Sequence, residues 1–558
     1  MTFKTSIAEN IFRIKYASSP AQTWGAKARE IVDDVCGKGS HGQYASPIMS
    51  DSDREQLIEY ITDMKFLPGG RYIYYAGRPA RFYNNCFLLR AEEDTREEWA
   101  AVAQRSMACL MTGGGIGIDY SRLRPSGRML QRTGGVASGP IPLMHSVNEI
   151  GRNVMQGGSR RSAIYASLNW QHEDAEAFLI AKNWDTMPVG DTGETLWHIK
   201  QQDFNFPAPL DMTNISLNYD EAFLGTIRGY STKLPQTFLD NCRQAMSTGE
   251  PGFSFNFGDQ EDETLRNACT EVVSADDSDV CNLGSINLGS ISSLEELRSV
   301  VALASKFLVC GTVRADLPYS KVAVVREKNR RLGLGLMGIH EWLLKKGKPY
   351  EVDSELRSWL AVYREESERA ANEHCDRLFL SRPVAYRAIA PTGSIGILAS
   401  TTTGIEPLYA VAFKRRYLTE GTKWKYEYVV DSTADHLIKE YGVDPSSIQT
   451  AASLANDYER RIKFQADVQD YVDMAISSTI NLPAWGTRGN DLDSVADFAA
   501  VLASYCHRLR GFTCYPDGGR GGQPLTVVPY EEAIKHRGVV FEELDVCSIT
   551  NRGGVCGS

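Results

Sequence analysis

Apolar positions along this chain keep a helical rhythm near the start and a mixed one afterwards. Between about residues 5 and 65 they recur at helical spacing, with Ile7, Ile11 and Ile14 in one group and Ala26, Ala28, Ile31, Val32 and Val35 in another. The run Asp51-Ser52-Asp53-Arg54-Glu55 opens a further helix by its capping and acidic residues. These features predict a helical N-terminal lobe over residues 1–80. From about 81 to 540, short apolar runs alternate with longer helical stretches and Gly-rich loops, the pattern of an α/β domain. The runs are Cys86–Leu89, Gly115–Asp119, Ser162–Leu168, Val273–Val280, Val322–Val325, Ala388–Ala390 and Gly511–Tyr515. The spacing leaves the strand number open, no repeat of fixed period stands out, and no linker is long enough to mark a second large domain. Residues 541–558 form a polar tail with too little apolar content to pack.

Composition narrows the function classes. With 42% hydrophobic and 23% charged residues in 558, the chain is an ordinary globular protein. It has no apolar run of about 18 residues and no secretory pattern at its N-terminus, so a cytoplasmic protein without a membrane partner is expected. A net charge of -10 disfavours a nucleic-acid surface, although small phosphorylated ligands need only a few local donors. Twelve cysteines in that compartment read as thiols rather than structural disulfides. Cys36, Cys109, Cys242, Cys310, Cys375 and Cys506 sit among apolar or helical neighbours and read as small buried hydrophobes.

Chemistry gathers elsewhere. In Asn267-Ala268-Cys269-Thr270-Glu271 an amide, a thiol and a carboxylate stand at alternate positions, and extended backbone would point all three into one cavity. Asn84-Asn85-Cys86-Phe87-Leu88-Leu89 supplies a thiol far upstream, Cys281 another, and the tail carries Cys547 and Cys556. Pro391-Thr392-Gly393-Ser394-Ile395-Gly396 is a hydroxyl-rich and Gly-rich turn before a helix start, suited to cradling a phosphate. Gly333-Leu334-Gly335-Leu336-Met337-Gly338 fits the dinucleotide fingerprint, but Arg326–Arg331 makes a poor buried strand before it, so it reads as close helix packing. Neither a P-loop nor a zinc-protease motif occurs, and no metal site is expected.

Together, and in this order from about residue 10 onward, these motifs resemble the large catalytic subunit of ribonucleotide reductases. The resemblance implies a ten-stranded α/β barrel of two five-stranded halves, with a central finger loop carrying Asn267–Glu271. It implies Cys269 as the thiyl radical that removes the ribose 3' hydrogen, Glu271 as general base for the 3'-hydroxyl, and Asn267 as holder of the sugar hydroxyls. Cys86 and Cys281 would deliver the reducing equivalents and end as a disulfide. Cys547 and Cys556 would re-reduce it by thiol exchange, served by a thioredoxin-type or glutaredoxin-type reductant. Their eight intervening residues exceed the family's usual tail spacing. Asn85, Gly115, Thr392, Gly393, Ser394 and Ile395 would bind the substrate. Asp94, Thr95, Arg124, Gln156, Arg160 and Arg161 would form the specificity site for a deoxynucleoside triphosphate or ATP.

Relatives differ in their radical source. Gly511–Gly518 contains one tyrosine, Tyr515, where the oxygen-dependent class carries an adjacent pair, and Tyr74-Tyr75 lies in another part of the chain. This favours the class that uses adenosylcobalamin; the alternative is a catalytic subunit served by a metal-containing, radical-generating partner. Arg552–Ser558 does not fit the glycyl-radical class. With 85 residues ahead of Cys86, an N-terminal ATP cone and on/off control by dATP are not expected. A non-catalytic nucleotide-binding homologue and a simple dithiol oxidoreductase are the readings from other classes. Diphosphate and triphosphate substrates, and monomer and homodimer, remain open.

Overall fold

Strands β1 (Phe66–Pro68), β2 (Cys86–Arg90), β3 (Gly115–Asp119), β4 (Ile164–Asn169), β5 (Thr213–Tyr219) and β6 (Gly252–Phe255) come first along the chain. From β2 to β6 each strand pairs in parallel with the next. They are buried over nearly their whole length, as parallel strands covered on both faces must be. This is one half of the architecture. β7 (Leu265–Arg266) and β8 (Val273–Ser274) form a short antiparallel hairpin, followed by β9 (Asp279–Asn287) and β10 (Leu332–Met337).

β11 (Ala412–Thr419) and β12 (Lys423–Val430) stand apart from this sheet, whereas β13 (Thr479–Leu482) and β14 (Gly511–Pro516) rejoin it. β9 pairs antiparallel with β2 and parallel with β10. β14 pairs antiparallel with β6 and parallel with β13. Between β10 and β13 the ladder passes through residues 385–390. Leu332 N donates to Ala385 O and Ala388 N to Leu334 O, then Ile389 N to Ala475 O and Ser477 N to Ile389 O. Residues 474–478 run directly into β13. The second half is therefore also five segments, parallel within itself and antiparallel to the first at two seams, β2/β9 and β6/β14. The α/β barrel of two five-stranded halves that the family resemblance implies is the fold observed.

The structure, a computed structural model, describes residues 3–37, 48–131, 133–154, 162–191, 193–203, 206–228, 233–419, 423–519 and 525–542. Two compact units emerge. The first comprises Met1–Asn183, Pro207–Pro407 and Leu454–Gly519, so the N-terminal helices Trp24–Cys36 and Asp51–Thr62 belong with the barrel strands. The second comprises Trp184–Phe206, Leu408–Ser453 and Arg520–Ser558, with an antiparallel sheet in the order β15 (Leu525–Val527), β11, β12 and β16 (Val540–Glu542). Among the described residues, no helix is long and apolar enough to cross a membrane.

Three local expectations are corrected. Val322–Val325 is not a strand but part of the helix Ser320–Asn329; Val322 and Val325, three apart, turn inward while Val324 is exposed. The glycine-rich motif at 333–338 is not helix packing: residues 333–337 lie in strand β10, and Gly338, left-handed at φ 72°, caps the helix Ile339–Lys345 that follows. A Cβ at Gly335 would stand 2.6 Å from Ala388 O, so its glycines let the neighbouring segment close on the barrel wall. Ile14 lies on the outside of its turn, and Phe12 and Tyr16 carry the burial there.

The hairpin's seat depends on glycine as well. A Cβ at Gly117 on β3 would fall 1.7 Å from Arg266 O, inside the hairpin backbone. Gly117→Ala should therefore destabilise the protein by about 1–3 kcal/mol in urea unfolding. Gly225→Ala, in open space within the helix Glu221–Arg228, should instead stabilise it by about 0.5–1 kcal/mol.

Candidate active site

The segment Asn267–Glu271 does not run extended, so its three polar side chains are not presented by strand alternation. It is the turn of the β7/β8 hairpin: Thr270 N donates to Asn267 O at 3.0 Å, and Thr270 adopts φ 70°. Asn267 holds the turn shut, its Oδ1 accepting from Val272 N at 3.0 Å. The left-handed residue reverses the chain, with the consequence that Cys269 is exposed at the tip while Asn267 and Glu271 are buried. The turn rests on both barrel halves. Asn214 Nδ2 of β5 donates to Ala268 O at 3.3 Å, and Ala475 N of the second half donates to Glu271 O at 2.9 Å.

Beneath the turn lie two thiols. Cys86 on β2 and Cys281 on β9 are direct cross-strand partners. Such partners have Cβ atoms about 4.5–5.5 Å apart, close to what a disulfide spans. Both are buried in a small apolar cluster with Leu265, Val272, Ala388 and Met474. Asn267 Nδ2 donates to Cys86 Sγ at 2.9 Å, and Cys86 Sγ in turn lies 3.9 Å from Glu271 Oε1. Amide, thiol and carboxylate thus form one chain of contacts. Burial, then the Glu271 charge, pushes the Cys86 thiol well up; burial, then Asp279, does the same to Cys281. Burial also raises the Glu271 carboxyl to about 7. Its Oε2 and the Asn85 Oδ1 have no hydrogen-bond partner, leaving acceptor capacity at the site.

Sequence reasoning missed the anchor of the hairpin. Arg266, 1% exposed, sends Nη1 to Glu263 O and Leu265 O and Nη2 to Phe255 O, Asn256 Oδ1 and Arg510 O. Phe255 ends β6 and Arg510 precedes β14, so one guanidinium grips both sides of the β6/β14 seam. A lone Arg beside Asn267 carries no motif; its position inside an apolar hairpin was the available signal.

The remaining expected residues fall into four groups. Asn85 and Gly115 are at the hairpin: Gly115 N donates to Asn85 O at 2.8 Å, and a Gly115 Cβ would meet Ala268 Cβ at 3.0 Å. Thr392, Gly393, Ser394 and Ile395 begin the short helix Gly393–Ala399, at the end of segment 385–390. Thr392 Oγ1 accepts from Gly404 N at 2.8 Å, and Gly393 faces open space. Asp94, Thr95 and Arg124 meet at the start of the helix Arg96–Met111, where Arg124 pairs with Asp94 and Thr95 caps the helix. Gln156, Arg160, Arg161, Cys547 and Cys556 lie outside the described residues.

The Glu271 carboxyl holds its proton more tightly folded than unfolded, so it contributes stability at low pH that is lost as pH rises through about 7. Between pH 5 and pH 8, Glu271→Gln should lose less stability in urea than the parent, by up to roughly 3 kcal/mol. Parallel pH slopes would contradict the raised value.

Comparison with known proteins agrees with this geometry. The profile of the ribonucleotide reductase barrel domain matches residues 84–200, 243–365 and 382–515, more than half of the chain. A vitamin B12-dependent ribonucleoside-diphosphate reductase from Mycobacterium tuberculosis is 27% identical, with 91% of this chain and 78% of the relative covered. A putative adenosylcobalamin-dependent ribonucleoside-triphosphate reductase from Mycobacterium phage D29 is 25% identical, over 80% of this chain and 72% of the relative. The solved class Id ribonucleotide reductase alpha subunit of Actinobacillus ureae shares the fold, with TM-score 0.69 and 15% identity over 92% of this chain and 97% of its own. A ten-segment barrel, a thiol-tipped hairpin within it and a matching profile along its wall together mean that the chain belongs to the ribonucleotide reductase family, as a catalytic subunit.

Proposed function

We propose that the protein reduces ribonucleotides by radical chemistry begun at Cys269, with adenosylcobalamin as radical source. The observation that carries this reading is the division of the hairpin: an exposed thiol at its tip, and a buried amide and carboxylate beside a cross-strand thiol pair. Cobalamin is bulky, so the thiol it serves must stand at an open face; Cys269 does, while Cys86 and Cys281 do not. That fits the group, and Cys269 is the residue that would face it. When bound, adenosylcobalamin supplies an organic radical. The names of the relatives and the single Tyr515 on β14 support the same source.

The chain's own residues have complementary tasks. Cys269 takes the 3' hydrogen, and Glu271 takes the 3'-hydroxyl proton, for which a carboxyl near 7 is well matched. Asn267 orients the sugar hydroxyls and the Cys86 sulfur together. Burial keeps Cys86 a protonated thiol, so it can give its proton to the departing 2'-hydroxyl; Cys86 and Cys281 then pair as a disulfide. Cys547 and Cys556 re-reduce that bond, recharged by a thioredoxin-type or glutaredoxin-type protein. Thr392, Gly393, Ser394 and Ile395 bind substrate phosphates, assisted at the sugar by Asn85 and Gly115. Asp94, Thr95 and Arg124, with Gln156, Arg160 and Arg161, receive a deoxynucleoside triphosphate or ATP effector. Arg124 would exchange Asp94 for the effector's phosphates.

The full chain assayed without oxygen, with adenosylcobalamin, dithiothreitol, ribonucleoside di- or triphosphate and a matched effector, should form deoxynucleotide. Cys269→Ser should form none. Glu271→Gln should lower kcat by about 10²–10⁴-fold. Because the base must be ionised, kcat/KM of the parent should rise with pH through about 7. Product obtained only after adding a radical-generating subunit would overturn the cobalamin assignment and leave the reductase reading intact.

A further inference from the structure

The glycine-rich motif at the end of β10 leads into a buried socket for the turn that follows the helix Gly393–Ala399. Gly338, its last residue, donates its N–H to Thr402 O at 2.8 Å. Three residues on, the Glu341 carboxylate is 3% exposed; its Oε2 accepts from the Thr401 hydroxyl, and its Oε1 pairs with Lys345 Nζ at 2.8 Å. Asn287 Oδ1 lies 3.1 Å from the same hydroxyl, which has one proton to give, and the closer carboxylate takes it. Two glycines clear the space for this contact. A Cβ at Gly338 would stand 2.7 Å from Thr401 Oγ1, and one at Gly289 would stand 2.7 Å from the Glu341 carboxyl carbon.

Thr401 belongs to a closed ring of chain. Thr392 Oγ1 accepts from Gly404 N at 2.8 Å, and Thr392 and Ser400, left-handed at φ 50° and 53°, bracket the helix between them. Left-handed backbone at residues with a side chain persists only where surrounding contacts fix it. Those contacts gather at the closed end of the ring: Thr5 Oγ1 lies 3.4 Å from Ser400 Oγ, Tyr350 donates to Ile405 O, and Arg461 pairs with Glu406. The other end, at Gly393, is exposed and faces open space. From the socket the constraint runs along the backbone to that open end. Thr401 N donates to Gly396 O at 3.0 Å, and Gly396 N donates to Thr392 O at 2.7 Å.

We propose that Glu341, acting through Thr401, is a positioning residue that holds the loop 392–406 in the conformation able to receive the substrate's phosphates. The proposal rests on the reading that Thr392, Gly393, Ser394 and Ile395 bind those phosphates. A ring tied at its back and open at its front keeps the phosphate donors at one place before substrate arrives. Without the Thr401 hydroxyl, the seated loop leaves Glu341 Oε2 dry and short of this donor, a cost that an unseated loop escapes by letting water reach the carboxylate. Substrate then binds only the seated fraction. Its apparent affinity falls by that fraction, while the bound and seated complex reacts as before.

The test measures kcat and KM of the full chain with adenosylcobalamin, dithiothreitol, effector and graded ribonucleotide. Calorimetry without adenosylcobalamin gives the affinities for the ribonucleotide and for its nucleoside separately. Thr401→Val should raise KM and the nucleotide Kd about tenfold, with kcat within about twofold of the parent and nucleoside affinity unchanged. Thr401→Ser, which keeps the hydroxyl, should return KM to the parent value. Glu341→Gln, of the same shape but a weaker acceptor, should raise KM as well, and the double variant should be no worse than Thr401→Val alone. Parent-like KM and Kd in folded Thr401→Val would overturn the proposal and leave the phosphate reading standing. Effects that multiply in the double variant, or a matching loss of kcat and nucleoside affinity, would overturn it too, since they mark independent contacts or general damage. A parent that binds nucleotide no more tightly than nucleoside would overturn the phosphate reading and the proposal together. If Thr401→Val does not fold, Glu341→Gln decides by the same split, and an unchanged KM there overturns the proposal.

Discussion

The guanidinium of Arg266, closed inside the barrel, is the contact on which the geometry of the site hangs. Removing such a charge from water costs several kcal/mol unless its donors are matched, and here four of the five are: both Nη atoms are held by carbonyls and the Asn256 side chain, while Nε has no partner. Nη1 is held by the hairpin's own Glu263 and Leu265 carbonyls, whereas the acceptors of Nη2 come from the end of β6, from Asn256 after it and from the residue ahead of β14, so that side of the charge is satisfied only when the two halves stand at their native separation. Arg510 and Arg331 extend the cluster, with Glu263 bridging them at 2.9 and 3.2 Å. One residue further along, Asn267 contacts Cys86. The hairpin is therefore fastened at one seam by its root and reaches the other seam with its turn.

That placement explains why one hairpin can carry groups with opposite needs. Under the proposed chemistry the hydrogen-abstracting thiol has to be reachable, whereas a carboxyl poised near neutrality has to be dry. The left-handed turn at Thr270 separates them within three residues, leaving Cys269 outside and Glu271 in the apolar cluster around Cys86 and Cys281. Glycines at 115 and 117 make the room, because β3 lies against the Arg266 carbonyl at Gly117 and the Ala268 side chain at Gly115.

Much of this was legible in the sequence. Cys86–Leu89, Gly115–Asp119 and Gly511–Tyr515 are barrel strands because unbroken apolar runs suit a doubly covered sheet. β5, Thr-Asn-Ile-Ser-Leu-Asn-Tyr over residues 213–219, is not among the apolar runs because every second position is polar, yet Ser216 and Asn218 are buried. The trio at 267–271 was recognised by residue type, yet its backbone was misjudged: period-two alternation and a tight turn place positions i and i+4 together equally well, and only the hairpin closure distinguishes them. Arg266 was illegible because its role depends on contacts between segments remote in sequence, which spacing cannot register.

The two seams of the barrel are chemically unlike. β6 meets β14 through backbone pairing and the Arg266 clamp, a fixed joint. β2 meets β9 with Cys86 opposite Cys281, so a disulfide formed there would weld one half-barrel to the other. Under the proposed chemistry, every turnover would close that weld and every re-reduction would cut it. The barrel would then behave as a clasp hinged on one side and latched on the other, its stiffness rising and falling in step with catalysis, so that the redox state of the pair could be read from the amide exchange rates of β2 and β9.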